Sequence, residues 1–304
     1  MLLFIEQLLN GLQLGIMLFL MSAGLTLVFG IMRVINLAHG SFYMIGAYVG
    51  ATVTARTGSF ILGILAALPA AALAGMLVEI LVLRRLYEKE HLDQVLATFG
   101  LIMFFNELTR IVWGRQPLFM DVPPWLSGSI ALIPGVPYPA YRIAVIAVGI
   151  MVGVLLYLLF TRTRIGMQIR AGASNREMAG ALGVNIRLLY TLVFGLGTLL
   201  AGLAGVMAGP ILAVEAGMGE SILILTFVVI VIGGIGSIRG ALVGALLVGL
   251  VDTLGRAFLP TVLRLFFSAA YADGIAASLA SMSVYILMAA ILVCRPRGLV
   301  PAHA

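Results

Sequence analysis

The chain has one cysteine, Cys294, one lysine, Lys89, and three histidines, His39, His91 and His303, in 304 residues. A single cysteine excludes an internal disulfide and a cysteine-based metal site. The histidines are far apart in sequence and form no ligand cluster. The lone lysine sits in Glu88-Lys89-Glu90, so no GxxxxGK(S/T) phosphate loop exists and the chain has no such ATP site. Charge is scarce as well: 10% of residues are charged, against about 25% in an average soluble domain. No span carries arginine at every third position, which excludes a voltage sensor, and no Asn-Pro-Ala sequence suggests a water channel. Gly172-Ala173-Ser174 has no histidine nearby in sequence, so a serine nucleophile is not indicated, and the chain reads as a non-enzyme.

What is present is apolar. Hydrophobic residues make up 62% of the chain, glycine contributes 36 residues, and the mean hydropathy is +1.17. The net charge of +6 does not indicate nucleic acid, because its basic residues are scattered between long apolar runs. Runs of about 20 apolar residues predict membrane-spanning helices, whereas a barrel shows short alternating segments. The expected fold is all-α and polytopic, a bundle of eight to ten transmembrane or half-spanning helices in a single domain, 1–304. Nine candidates lie at roughly 8–32, 35–55, 60–83, 95–113, 140–160, 188–214, 221–235, 240–258 and 278–294. The first basic residue is Arg33, so the N-terminus lacks the positive start of a cleavable signal and reads as a retained span. With the N-terminus outside, 12 of the 18 Lys and Arg fall on the inner side, which favours N-out, C-in.

Two loops stand out. Residues 114–139 hold six of the 11 prolines with Trp125 among them, and predict an ordered, non-helical outer cap. Residues 161–187 hold five arginines and one acid, on the inner side. There Ser174 followed by Glu177 suggests a capping box, and Gly183 a C-terminal cap, for one short helix. Such a helix either serves as a docking knob or simply connects spans.

Glycines mark helix contacts, because small residues let backbones approach in lipid. Gly236, Gly240 and Gly244 recur every four residues and predict one packing face; Gly11/Gly15, Gly46/Gly50 and Gly205/Gly209 are further pairs. Ionisable groups at membrane depth cost about 2.5–3.5 kcal/mol on insertion scales and need partners. Glu107 pairs with Arg110 three residues on, beside Asn106, and Asp252 with Arg256 four on; Glu79 reads as interfacial, near Arg84 and Arg85. At the start of the second run, Asn36, His39 and Ser41 form a polar cluster just before Tyr43, with Gly40 able to bend the helix. This cluster is either a helix-start anchor or part of a substrate path, to which Asn106 and Glu107 are the other polar candidates.

Four stretches carry a family resemblance: Asn36 to Tyr48, Arg170 to Asn185, Gly233 to Ala241, and Arg295 to Leu299. Together they resemble the branched-chain amino-acid ABC importer permeases, H-type subunit, a family that includes urea and amide permeases. The resemblance implies a permease of the bacterial inner membrane, in contact with lipid and without nucleic acid. It implies a second permease subunit (in a homo- or heterodimer), two cytoplasmic ATP-binding subunits and a periplasmic solute-binding protein. It also implies that this chain binds no cofactor, while ATP and Mg are used by the partners. Arg170, Ser174, Asn175, Arg176, Glu177, Gly180 and Gly183 match the family's ATPase-coupling loop. Ser41 stands where many members carry an acid, so the carried amino acid or amide is left open. The rival expectation is a stand-alone channel or an ion-coupled secondary transporter.

Overall fold

The computed structural model describes residues 2–301 except Arg33, Ile35, Glu88, Pro134 and Gly135. Arg33 and His303, counted above, lie outside the described residues. Among the described residues, nine helices of 16 residues or more take up the nine apolar runs. They are α1 (Leu2–Met32), α2 (His39–Thr57), α3 (Phe60–Leu81), α4 (His91–Trp113), α5 (Ala140–Arg162), α8 (Ile186–Ala208), α9 (Met218–Gly233), α10 (Ile238–Leu263) and α11 (Ala269–Cys294). Between α5 and α8 lie two shorter helices, α6 (Arg164–Ser174) and α7 (Arg176–Ala181). Seven of the described helices are long and apolar enough to cross a membrane, which makes this a multi-pass membrane protein. The shorter α9, at 16 residues, extends about 24 Å, less than the roughly 30 Å hydrocarbon core.

The proline-rich loop contains no α-helix among its described residues, but the expected non-helical cap is corrected by one 3-10 turn, Pro124–Leu126, ahead of a hairpin. Strands β1 (Ser129–Ile133) and β2 (Val136–Pro139) pair antiparallel, with Ile130 opposite Tyr138. Pro137 and Pro139 are tolerated because a two-stranded ribbon consists only of edges.

Contacts divide the chain into two compact units, each with its own packing. The first comprises Met1–Phe19, Pro124–Ile150 and Leu225–His303. Within it, the buried Tyr138 hydroxyl donates to Asn10 Oδ1 of α1 at 3.1 Å, and Arg142 donates to the same oxygen, which ties the hairpin down. Gly15 lies against the Ala245 carbonyl and the Leu246 backbone of α10. Gly233 and Gly240 abut across the α9–α10 turn, and Gly244 meets the Val229 carbonyl. The C-terminal tail closes this turn: the Leu299 and Val300 amides donate to the Ile232 and Gly233 carbonyls, both at 2.9 Å. Two of the motifs behind the family resemblance thus touch.

Gly236 corrects the sequence expectation. It precedes α10, in the turn, with φ of +82°, and so shares no helix face with Gly240 and Gly244. The four-residue period runs across a helix start, where the next residue, Ser237, caps by accepting from the Gly240 amide at 3.0 Å.

The second unit comprises Leu20–Pro123 and Met151–Ile224. Its centre is α2, α3 and α8. Gly46 of α2 lies directly on Gly202 of α8, Gly205 on the Tyr43 carbonyl, and Gly75 of α3 on Thr198 of α8. A Cβ at any of these would overlap its neighbour. Phe42 packs edge-on to Phe194 and Phe105, both at 5.8 Å, which brings α4 onto α2.

Candidate functional site

The opening of α2 is buried. Asn36, His39, Ser41 and Tyr43 are all at most 4% exposed. Asn36 Oδ1 accepts from the Ala38 amide at 3.0 Å, and its carbonyl accepts from the His39 amide at 3.4 Å, so Asn36 turns the chain into the helix. The His39 ring rests beside Gly24 of α1, with the Met21 carbonyl nearby, and neither ring nitrogen has a hydrogen-bond partner of good geometry among the described residues.

Ser41 faces a narrow cleft lined also by Gly40, Met44, Ile102, Asn106, Gly219 and Glu220. Asn106 Nδ2 donates to Glu220 Oε1 at 2.6 Å, a link between α4 and α9. Beside it the backbones of Gly40 and Gly219 touch, so the cleft is shut where α2 and α9 meet. Of the candidate path residues, the fold therefore brings Ser41 and Asn106 together. Asn36 and His39 lie behind them, and Tyr43 does not line the cleft. Glu107 does not line it either: it is paired with Arg110 on an exposed face, its side chain 63% accessible. Glu220 was missed from sequence because it opens a helix 114 residues from its partner.

A second polar centre, at the end of α3, was read only as interfacial. Glu79 is fully buried. Arg84 donates to both its oxygens (Nε to Oε1 at 3.2 Å, Nη2 to Oε2 at 2.9 Å), and the hydroxyls of Tyr87 and of Thr191 in α8 each donate at 2.7 Å. Burial, and then the hydrogen bond to Glu79, push the Tyr87 hydroxyl well above its usual range. Tyr87 also packs edge-on to Tyr190, with centroids 5.4 Å apart. The visible signal was an acid inside an apolar run; Thr191, 112 residues away, was not legible.

The basic loop folds differently from expectation. Thr163 caps α6 by accepting from the Gly166 amide at 3.0 Å, and Ser174 is the last residue of α6 rather than a cap. The cap of α7 is Asn175, in extended conformation, accepting from the Met178 amide at 2.9 Å. Glu177 is then the second helical residue, so no reciprocal capping box forms, although its charge suits the first turn. Asn and Ser cap about equally well, and the extended backbone needed between two helices falls on Asn175. Gly183 ends α7 with φ of +89°, while the Gly183 and Val184 amides donate to the Gly180 and Ala179 carbonyls. Arg170, Arg176, Glu177 and Gly180 are exposed, as are the apolar Met178 and Leu182, the latter 79% accessible. The loop therefore presents an apolar knob ringed by charge.

No group of three or more potential metal ligands exists among the described residues. The model of a family described as "Branched-chain amino acid transport system / permease component" matches residues 7–293. The chain belongs to this family. Among the permease's relatives is the high-affinity branched-chain amino acid transport system permease protein LivH of Escherichia coli K12, 30% identical over 85% of this chain and 88% of the relative. The high-affinity branched-chain amino acid transport system permease protein BraD of Pseudomonas aeruginosa is 32% identical over 83% and 86%. The ribose import permease protein RbsC of Escherichia coli K12 is 27% identical over 82% and 77%. No solved structure matches the permease.

Proposed function

We propose that this chain is a membrane subunit of a binding-protein-dependent ABC importer of the bacterial inner membrane, carrying branched-chain amino acids or a related small amino acid or amide. The carrying observation is the family match over nearly the whole chain, and the exposed α7 knob on an arginine-rich loop supports it. The chain has no phosphate loop, so ATP and Mg belong to two cytoplasmic ATP-binding subunits. A second permease subunit completes the pathway, and a periplasmic protein selects and delivers the solute. The orientation is N-out, C-in, which places α6 and α7 inside.

Transport is by alternating access. Closure of the ATPase pair pushes on α6 and α7, which lead directly into α8. Glycine contacts join α8 to α2, and α2 meets α9 at Gly40 and Gly219, so a shift of α8 opens or shuts the cleft at Ser41 and Asn106. The solute class rests on the names of the two relatives at 30–32% identity. The ribose import permease is 27% identical over a similar length, so similarity at this level does not by itself set the solute.

The test is uptake of radiolabelled leucine into proteoliposomes. Expected is ATP-dependent uptake only with both permeases, the ATPases and the binding protein present. Uptake by this chain alone, driven by an ion gradient, overturns the proposal in favour of a secondary transporter.

A further inference from the structure

The cleft at Ser41 is walled by α4 and α9 as well as by α2, and a second tie joins α4 to α9 beyond it. Helix α4 continues past Asn106 to Trp113, and α9 begins at Met218, just before Glu220. The segment that leaves α4 and the segment that enters α9 pair at one point, Leu118 opposite Val214. Each of the two amides donates to the other residue's carbonyl, both at 2.9 Å. Val214 is fully buried and so, nearly, is Met120, whereas Phe119 is 80% exposed: this short extended stretch turns successive side chains to opposite faces. A Cβ on Gly209, at the end of α8, would meet Met120, and the Trp113 indole donates to Thr52 of α2 at 2.7 Å. Each side of the bridge joins its helix through a glycine at positive φ, Gly114 at +89° after α4 and Gly217 at +95° before α9, with open space around both. Two neutral hydrogen bonds at a single point hold a closed arrangement and still part readily, because the net contribution of each is small.

We propose that the Leu118–Val214 bridge is a latch on the outer side of the cleft. While it is paired, α4 and α9 are held together twice, by Asn106 with Glu220 inside the cleft and by the backbone beyond it, and the solute has no outer entry. Outward opening breaks the two backbone bonds, and the paired segments swing apart about Gly114 and Gly217. The segment that carries Val214 continues directly from α8, the helix proposed to carry the movement of the ATPases, so a shift of α8 pulls on the latch as it changes the cleft. The outer placement and the consequence for transport rest on the importer reading; the tie between α4 and α9 rests on the bridge.

Two measurements test it, both with Cys294→Ser, which removes the exposed native thiol at the end of α11. In the first, Leu118→Cys and Val214→Cys are combined in the complete reconstituted importer. Residues of an antiparallel pair that exchange both hydrogen bonds have Cα atoms about 5.5 Å apart, within the reach of a disulfide. Oxidation with copper phenanthroline should lower ATP-dependent leucine uptake in proportion to the fraction of molecules cross-linked, read by mass spectrometry, and dithiothreitol should restore it. Neither single-cysteine variant should respond. Uptake that persists in cross-linked protein, or failure of the two cysteines to join, overturns the latch. The second measurement reads the cleft without transport. Ser41→Cys is labelled by a membrane-impermeant thiol reagent added outside right-side-out vesicles that hold the permease–ATPase complex. Leu118→Pro deletes one of the two donors and should speed this labelling at least threefold; an unchanged rate overturns the latch. Absent uptake in the parent and in the reduced double variant alike overturns the importer reading, and the labelling still decides the latch.

Discussion

Helices α5 and α8 have the same length and opposite surroundings. The most apolar stretch of α5 has a mean hydropathy of 2.9, the highest of the seven spans, yet 22% of it is buried. The corresponding stretch of α8 has a mean hydropathy of 1.9 and is 83% buried. In a soluble protein the order would be reversed. In a membrane, lipid solvates Leu and Ile as well as protein does, so hydrophobicity does not select the interior. Size does: α8 carries Gly197, Gly202 and Gly205 on faces pressed against the backbones of other helices, while α5 displays Met151, Val154, Leu155 and Leu158. Residue volume, more than polarity, separates a packed helix from one open to lipid or to a second subunit.

The sharpest way to break this contrast is to add volume where backbones touch. Gly46→Leu drives a side chain into Gly202, where backbone and not a flexible side chain must yield. Overpacking costs about 1–3 kcal/mol in ordinary cores and more where nothing can move, so little folded protein is expected. Leu155→Ala on α5, at a residue 56% exposed, should change stability by no more than about 0.5 kcal/mol. Size-exclusion profiles and thermal unfolding in detergent check both. A monodisperse Gly46→Leu protein with unchanged Tm would refute the size rule.

The next effect concerns the buried carboxylate of Glu79, which joins α3 to α8. Removing Glu79 takes an acceptor from Arg84 and Tyr87 and leaves Thr191 the Arg187 carbonyl, and breaking a buried pair costs about 3–5 kcal/mol. Arg84 is partly accessible, so Glu79→Ala should fall at the low end, near about 3 kcal/mol. Tyr87→Phe alone should cost about 1 kcal/mol, and almost nothing in the Glu79→Ala background. Thermal unfolding of the two single variants and the double gives the coupling; strict additivity would show that the 2.7 Å bond carries no energy.

Smaller still in its effect on stability is Gly180→Leu. A Cβ there would meet Ile186 at 3.7 Å, ordinary contact, and a glycine is removed from a helix, so the fold is kept. If α7 is the docking knob, solute transported per ATP should fall at least fivefold in the reconstituted importer. An unchanged ratio would remove α7 from the coupling path.

These contrasts also show what was legible in the sequence. The nine long helices among the described residues were, because each follows an apolar run, seven of them long and apolar enough to span. The positions of Gly46, Gly240 and Gly244 were, because glycine at four-residue spacing has few other uses. Helix starts were less so: the loop carried Ser174 and Asn175 side by side, either able to cap, and only the backbone chose between them. Long-range partners were not legible at all. Glu79 with Thr191, and Asn106 with Glu220, meet because helices more than a hundred residues apart are neighbours, and no local pattern records that.

Glu107 tests the same point from the other side. Sequence singled it out as a charge at membrane depth, and the fold leaves it on the surface of α4 with Arg110, which lies one turn along the same helix. An exposed pair of this kind contributes about 0–1 kcal/mol and yields to solvent or to lipid headgroups. Glu107→Gln should shift stability by less than about 0.5 kcal/mol and leave uptake unchanged. Asn106→Leu, at the adjacent residue, removes the link to Glu220 inside the cleft and should lower uptake several-fold. The two positions are neighbours in the chain and point to different surroundings, so the pair separates position in the sequence from position in the fold. Uptake lost in Glu107→Gln and kept in Asn106→Leu would place the path on the opposite face of α4.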